Sequence, residues 1–390
     1  MQKKHVLAVA ALAALSVSTV AGAQVIQPDL FGLGQQHVYV MSNGIDGNAV
    51  AVLRRNRSGG LDKVGTYRTG GKGVGVGTTA PPPDPLGSQN ALLLSDDGHL
   101  LFAVNAGSHQ VSTFLVLGDY LELVDVTDSG GTYPVSIAQR GDRLFVLNSA
   151  EQANVTAFRI GLFGNLSKVP GGSRVIGTDE PLVNGQPNVG NTASQLQFDR
   201  TGRWLAVSVK DSRDRGYVET FGVERSGNLA KDPAITPTDD AAAFGFTFDA
   251  QNHLLLADGA LNAVSSFSIG PRGDLTAISS PVADGQKATC WLDANGHLVY
   301  TASAGTNTLS SYRVDGAGRL TLLDGAAADL GTGHATTDVK FSRDGKSLYV
   351  NAPGTGTVKS FQVQADGRLV PLGETQVFGA GTGTQGLAVQ

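Results

Sequence analysis

The stretch DGHLLFAVNAGSHQVSTF at residues 97–114 nearly recurs as NGHLVYTASAGTNTLSSY at residues 295–312. A chain that repeats one ordered set of cues this far apart is built from copies of one supersecondary unit. One strand of the unit carries two apolar residues separated by two small or polar ones: Val111/Phe114, Val155/Phe158, Val218/Phe221, Val264/Phe267, Leu309/Tyr312 and Val358/Phe361, with Val50/Leu53 as a degenerate seventh. Before six of these pairs a tight turn leads into an apolar run: DDGHLLFAV, QRGDRLFVL, DRTGRWLAV, DAQNHLLLA, DANGHLVYT and SRDGKSLYV. Gly, Asn and Asp at such turns supply the positive φ that short hairpins demand. After each pair come a second turn and a leucine, so each unit reads as four consecutive strands.

The pairs recur every 44 to 49 residues, with two longer intervals of 61 and 63 that hold insertions at residues 70–87 and 178–191. That period suits four-stranded propeller blades, and no segment sustains a 3.6-residue period. The expected fold is all-β: a seven-bladed β-propeller over residues 37–390. The first unit starts at HVYVMSN without an innermost strand, and the chain ends in TQGLAVQ, a strand without a blade. The two ends are expected to pair, so that the C-terminal strand completes blade one and no open edge remains.

At the N-terminus Lys3 and Lys4 precede an apolar run from Val6 to Val20, followed by Ala21-Gly22-Ala23. This reads as a signal peptide over residues 1–23, cleaved near Ala23, with an extension over 24–36; the run is too short and too often interrupted to span a membrane. The expected location is periplasmic or extracellular. One cysteine, Cys290, rules out an intramolecular disulfide. Basic residues number 29 against 34 acidic ones, with no basic concentration, which speaks against nucleic acid as a partner. A monomer is expected.

Few side chains present themselves for chemistry. His99, His253 and His297 share one repeat position, a solvated hairpin turn that holds Asp142, Arg203 or Lys346 in other blades. His109 and His334 fall on loops of the opposite face, around the expected channel mouth. GGKGVGVG runs into three prolines, so no helix can follow to bind phosphate. No nucleophile elbow and no zinc pattern occurs, and neither a metal nor a cofactor is expected. NVT at Asn154 and NLS at Asn165 are explained by repeat grammar. KDSRDRG at residues 210–216 is the one charged loop, where other blades carry NAGSHQ or NAPGTG.

The segments VNAGSHQVSTF, FSRDGKSLYVNAPGTGTVKSFQV, ADGRLVPL and GQKATCW resemble the lactonase-like propellers, which include bacterial 6-phosphogluconolactonase and fungal carboxymuconate cyclase. The resemblance covers about residues 37–390. It implies histidines at the channel mouth in P-H-x-H and G-P-R-H segments, but here those places read YPVSIAQ and AFGFTF. Asp258 lies one position from the glutamate the family pattern implies, and only Asp214-Arg215 keeps its D-R pair. Ring opening of a lactone needs a base for water and donors for the oxyanion. The weak catalytic candidates are therefore Asp338, His334, Lys287 and Arg215, and the ligand-binding candidates are Gln195, Asp338, Gln385, Ser136 and His109. The expected function is an exported scaffold that binds a small polar ligand, or a protein or glycan partner, at a mouth roofed by the two insertions. The alternative is a lactone or sugar-acid hydrolase or cyclase with a relocated catalytic group.

Overall fold

The second strand of each unit is apolar along its whole length rather than at alternate residues, and burial on both faces is the reason. In the computed structural model, which describes residues 36–76 and 84–390, Leu100–Asn105, Trp204–Val209 and Leu298–Ser303 are almost entirely buried. The outermost strands alternate instead: Leu61–Arg68 and Leu320–Asp329 show every other stretch to solvent. These patterns give seven antiparallel four-stranded sheets arranged as blades, with each sheet packed between two others. Helix among the described residues is confined to two single turns, Ala106–Ser108 and Val189–Asn191. The signal-peptide and extension segments lie outside the described residues, as does part of the first insertion.

The paired apolar residues have a geometric reason. Three positions apart on a strand, Val111 and Phe114 point to opposite faces, one toward each neighbouring blade, and both are fully buried. Next to them the outermost strand carries one extra residue, so that Thr113 pairs with Asp125 but Phe114 pairs with Leu123. The same one-residue shift recurs between third and fourth strands in blades one, five, six and seven, and blade three has a larger irregularity between Thr156 and Phe158. Such a bulge sharpens the local twist, which a wedge-shaped blade needs toward its rim.

Ring closure is as the sequence predicts. Leu387–Val389 pairs antiparallel with Val38–Val40 and forms the innermost strand of blade one. Further backbone hydrogen bonds run from Met41 N to Gly386 O (3.1 Å), from Gln385 N to Met41 O (3.2 Å) and from Gln390 N to His37 O (2.9 Å). Side chains clasp the same segment from blade seven: Asn351 Nδ2 donates to Thr384 O (2.9 Å), and Gly386 N donates to Asp338 Oδ2 (2.9 Å). Deleting residues 384–390 removes all of these and bares the edge of His37–Met41. The truncated chain is expected to aggregate or lose its cooperative melt, followed by circular dichroism and light scattering; a melt like that of the full chain would refute closure by this strand.

Candidate functional site

A propeller's chemistry gathers where the innermost strands surround the channel. On the face that bears the second-to-third-strand loops, here the upper face, residues 84–90 leave the first insertion and lead into Leu92–Leu94 of blade two. They do not skirt the mouth; their contacts span the ring. Leu86 is fully buried, and its N–H donates to Gln385 Oε1 of blade one (3.0 Å). Gln385 Nε2 donates in turn to Asp84 Oδ1 (2.7 Å) and Ser88 O (2.9 Å). From blade three Tyr133 Oη donates to Pro85 O (2.7 Å) and Ser136 Oγ to Gln89 O (2.7 Å). From blade six Trp291 Nε1 donates to Ser88 O (2.9 Å). The Gln89 amide donates to Leu292 O and accepts from Leu292 N, both at 3.0 Å, and so mimics a strand pair with a blade across the channel. The segment is a plug.

Lys210 completes it. It follows directly on the buried strand Trp204–Val209 and is itself only 4% exposed. Its ammonium donates to Gly87 O and to Ser194 Oγ (2.9 Å) and lies 4.6 Å from the Phe244 ring centroid. Burial lowers its pKa to about 8, and the nearby Asp84 carboxylate works against that shift. Burial likewise raises Asp84 to about 6, with Lys210 opposing. Asp338 is 1% exposed and raised to about 6, first by burial; the bond from Gly386 opposes the shift and Asp84 adds to it. The second oxygen of Asp338, Oδ1, has no hydrogen-bond partner. Burial also pushes the Cys290 thiol well up, so it stays protonated.

The residues singled out from sequence have different fates. Gln195 is fully buried, its amide donating to Phe246 O (2.8 Å) and accepting from Phe246 N (2.8 Å). Gln385 and Ser136 are spent on the plug, and Asp338 on ring closure. His109 adopts a left-handed backbone (φ 57°) at the rim, where its Nδ1 accepts from Tyr133 N (3.1 Å). His334 lies in an outer cluster of blade seven, with Nδ1 2.9 Å from Gly331 O and Nε2 3.3 Å from Glu374. Lys287 and Arg215 are exposed. No hydrogen bond or ion pair joins Asp338 to Lys287 or His334 among the described residues. Asp258 is buried, accepts from Ser265 Oγ, and is raised to about 8 by burial, so it is a neutral acid at pH 7. Among the described residues no three His, Cys, Asp or Glu side chains are placed to hold a metal ion. The two insertions do meet on the upper face: Gln186 Nε2 donates to Val74 O (3.4 Å), beside a cleft of about 470 Å³ lined by Ile45, Lys72 and Gly107.

The pKa shifts make stability depend on pH. The folded chain holds the Asp338 proton more tightly than the unfolded chain, whose carboxyl titrates near 3.8. Its contribution is therefore full below about pH 4, declines as pH rises to about 6, and is flat above. Asp84 acts in the same direction, whereas Lys210 makes stability rise again above about pH 8. Asp338→Asn keeps an oxygen for Gly386 N and removes the charge. It is expected to be more stable than the parent at pH 8 by on the order of 2 kcal/mol, and not at pH 4.5, in urea unfolding at both pH values. A difference independent of pH would refute the ionised, unpaired carboxylate.

Comparison with known proteins places this geometry. Residues 256–386 match the family model described as lactonase, 7-bladed beta-propeller. The fold is similar to that of the periplasmic gluconolactonase of Pseudomonas aeruginosa, at 16% identity and a TM-score of 0.68, covering 91% of this chain and 98% of that one. It is similar also to a 6-phosphogluconolactonase candidate from Bacteroides fragilis, at 16% identity and a TM-score of 0.67, covering 93% and 100%. A Lactobacillus plantarum protein gives 14% identity and a TM-score of 0.69 over 91% and 99%. No curated protein matches in sequence. At such identities the structural likeness is one of fold, and the matched segment runs from blade five to the end of blade seven. The chain is a seven-bladed β-propeller, and its residues 256–386 resemble the lactonase propellers.

Proposed function

We propose that this protein is an exported, non-catalytic propeller that binds a small polar ligand, or a protein or glycan partner, rather than opening lactones. Export rests on the positively charged, apolar and A-x-A segments of residues 1–23, outside the described residues, with the mature chain comprising a short extension over 24–36 and the propeller over 37–390. The P. aeruginosa neighbour, a periplasmic protein of the same fold, is compatible with that location. Among the described residues no helix is long and apolar enough to cross a membrane. The observation that carries the non-catalytic reading is the plug. A hydrolytic water needs a base within hydrogen-bond reach and an open place for the reacting carbonyl. Here Leu86 is fully buried, and polar side chains from blades one and three already serve residues 84–90.

One observation favours the alternative hydrolase or cyclase. Asp84 and Lys210 are a buried acid–base pair with pKa values moved to about 6 and about 8, toward the range useful for proton transfer at neutral pH. If the plug lifts, they face whatever enters. The two readings part in one assay: the mature protein is incubated with aldonolactones at pH 7.5 and ring opening is followed by acid release. The scaffold reading expects the buffer rate, for the parent and for Lys210→Met alike. Turnover above buffer that Lys210→Met abolishes while the variant still melts cooperatively would overturn it.

A further inference from the structure

The channel has a second end, on the face that bears the first-to-second-strand turns. There the innermost strands of blades two, three, four and seven enclose a cavity of about 510 Å³, within the range of small-molecule sites. Three cations line it: Arg140 at the turn of blade three, Arg200 at the turn of blade four, and Lys340 on Val339–Phe341 of blade seven. Among the described residues none of the three side chains makes an ion pair or hydrogen bond, although Lys340 is near enough to Asp338 to lower its pKa; acidic residues outnumber basic ones in the chain, 34 to 29. Two aspartates also line the cavity. Asp199 is committed to Trp204 N (2.8 Å), Thr201 and Asn252 Nδ2 (3.1 Å), and Asp96 lies at the exposed rim.

Neutral groups point to the same ligand. Asn90 lines the cavity, is only 6% exposed, and its side chain has no hydrogen-bond partner among the described residues. Gln197 Oε1 accepts from Gln195 Nε2 (2.9 Å), which fixes the amide and leaves its Nε2 without a protein partner. Gln139 Nε2 donates to Gly141 O (3.0 Å), and its buried Oε1 has no donor. Arg140 lies across Gly202, where a Cβ would come within 2.5 Å of its Nε, so the turn of blade four cradles that guanidinium. Unspent forks for oxyanions, unspent amide donors and one orphan acceptor for a hydroxyl thus surround one space.

We propose that this cavity binds a small hydroxylated oxyanion, a carboxylate or a phosphate ester, with Arg140, Arg200 and Lys340 holding the charged groups and Asn90, Gln139 and Gln197 its hydroxyls. The cavity opens on the other face of the ring from Gln385 and Lys210 and shares only Asn90, the last residue of the plug, so the proposal does not depend on whether the upper mouth is catalytic.

The test is calorimetric titration of the mature protein with citrate, tricarballylate and glycerol 3-phosphate in buffer of constant ionic strength. Saturable binding by at least one of them is expected, weakened at least tenfold in Arg140→Gln and in Arg200→Gln. Both substitutions fall on exposed turns, and cooperative melts check that the variants fold. Lys72→Gln, in the cleft of the other face, is expected to leave affinity unchanged. Preference for citrate over tricarballylate marks use of the hydroxyl, and the glycerol 3-phosphate arm separates phosphate ester from carboxylate. Absence of binding by all three, or parental affinity retained in both Arg140→Gln and Arg200→Gln, would overturn the proposal.

Discussion

Three residue pairs, Val38–Val40 against Leu387–Val389, hold shut a ring whose seven sheets share no other strand pairing and are joined by side-chain packing and scattered hydrogen bonds. Each blade has two apolar faces and can bury both only if it has a neighbour on each side. Opening the ring between blades therefore wets two faces at once, and opening it at the closing strand of blade one also bares two strand edges. The same short segment also closes the channel. Gln385 holds the plug through Leu86 N, Asp84 and Ser88, and the next residue, Gly386, is held by Asp338. Circumferential closure and closure of the mouth thus share one anchor, and a change in either is felt by the other.

This sharing explains why ionisable groups tolerate burial here. A buried carboxylate oxygen without a partner costs on the order of 1–3 kcal/mol, and Asp338 carries such an oxygen. It persists because its other oxygen receives a backbone N–H at a bend where the chain, Gly386 at φ 105°, cannot offer that N–H to a strand partner. Lys210 reaches a carbonyl of the plug that likewise has no strand to pair with. Irregular backbone inside a channel leaves donors and acceptors that only long or charged side chains can reach.

The blade count, the four strands and the closing strand were legible because their signals repeat: turn chemistry, apolar runs and the paired apolar residues each recur with the period. The plug was not. Residues 84–90 occur once, have no periodicity and contain a single large apolar side chain, so they read as loop. Lys210 was hidden by its neighbours: the alternating charges of residues 210–216 read as one solvated loop, yet the structure buries Lys210 and exposes Arg213 and Arg215. Gln195, Ser136 and Gln385 were recognised as inner-strand polar residues, but their partners could not be. Gln89 meets Leu292 across 203 positions of sequence, and no local pattern announces such a contact.

What separates structural from functional polarity in this channel is whether the group is already used. At the plugged end the side chains of Ser88, Gln89, Tyr133, Ser136 and Gln385 each already hold a backbone partner, so a ligand there would have to displace intramolecular hydrogen bonds one for one and would gain little net free energy. At the other end three cations and three amide groups retain unspent donors or acceptors around a cavity that already exists. Cations gathered in a concave site attract an anion without reorganising the protein, because their mutual repulsion is relieved when it arrives. The free energy available for binding lies at the end of the channel where donors and acceptors remain unspent around a cavity with more cations than carboxylates.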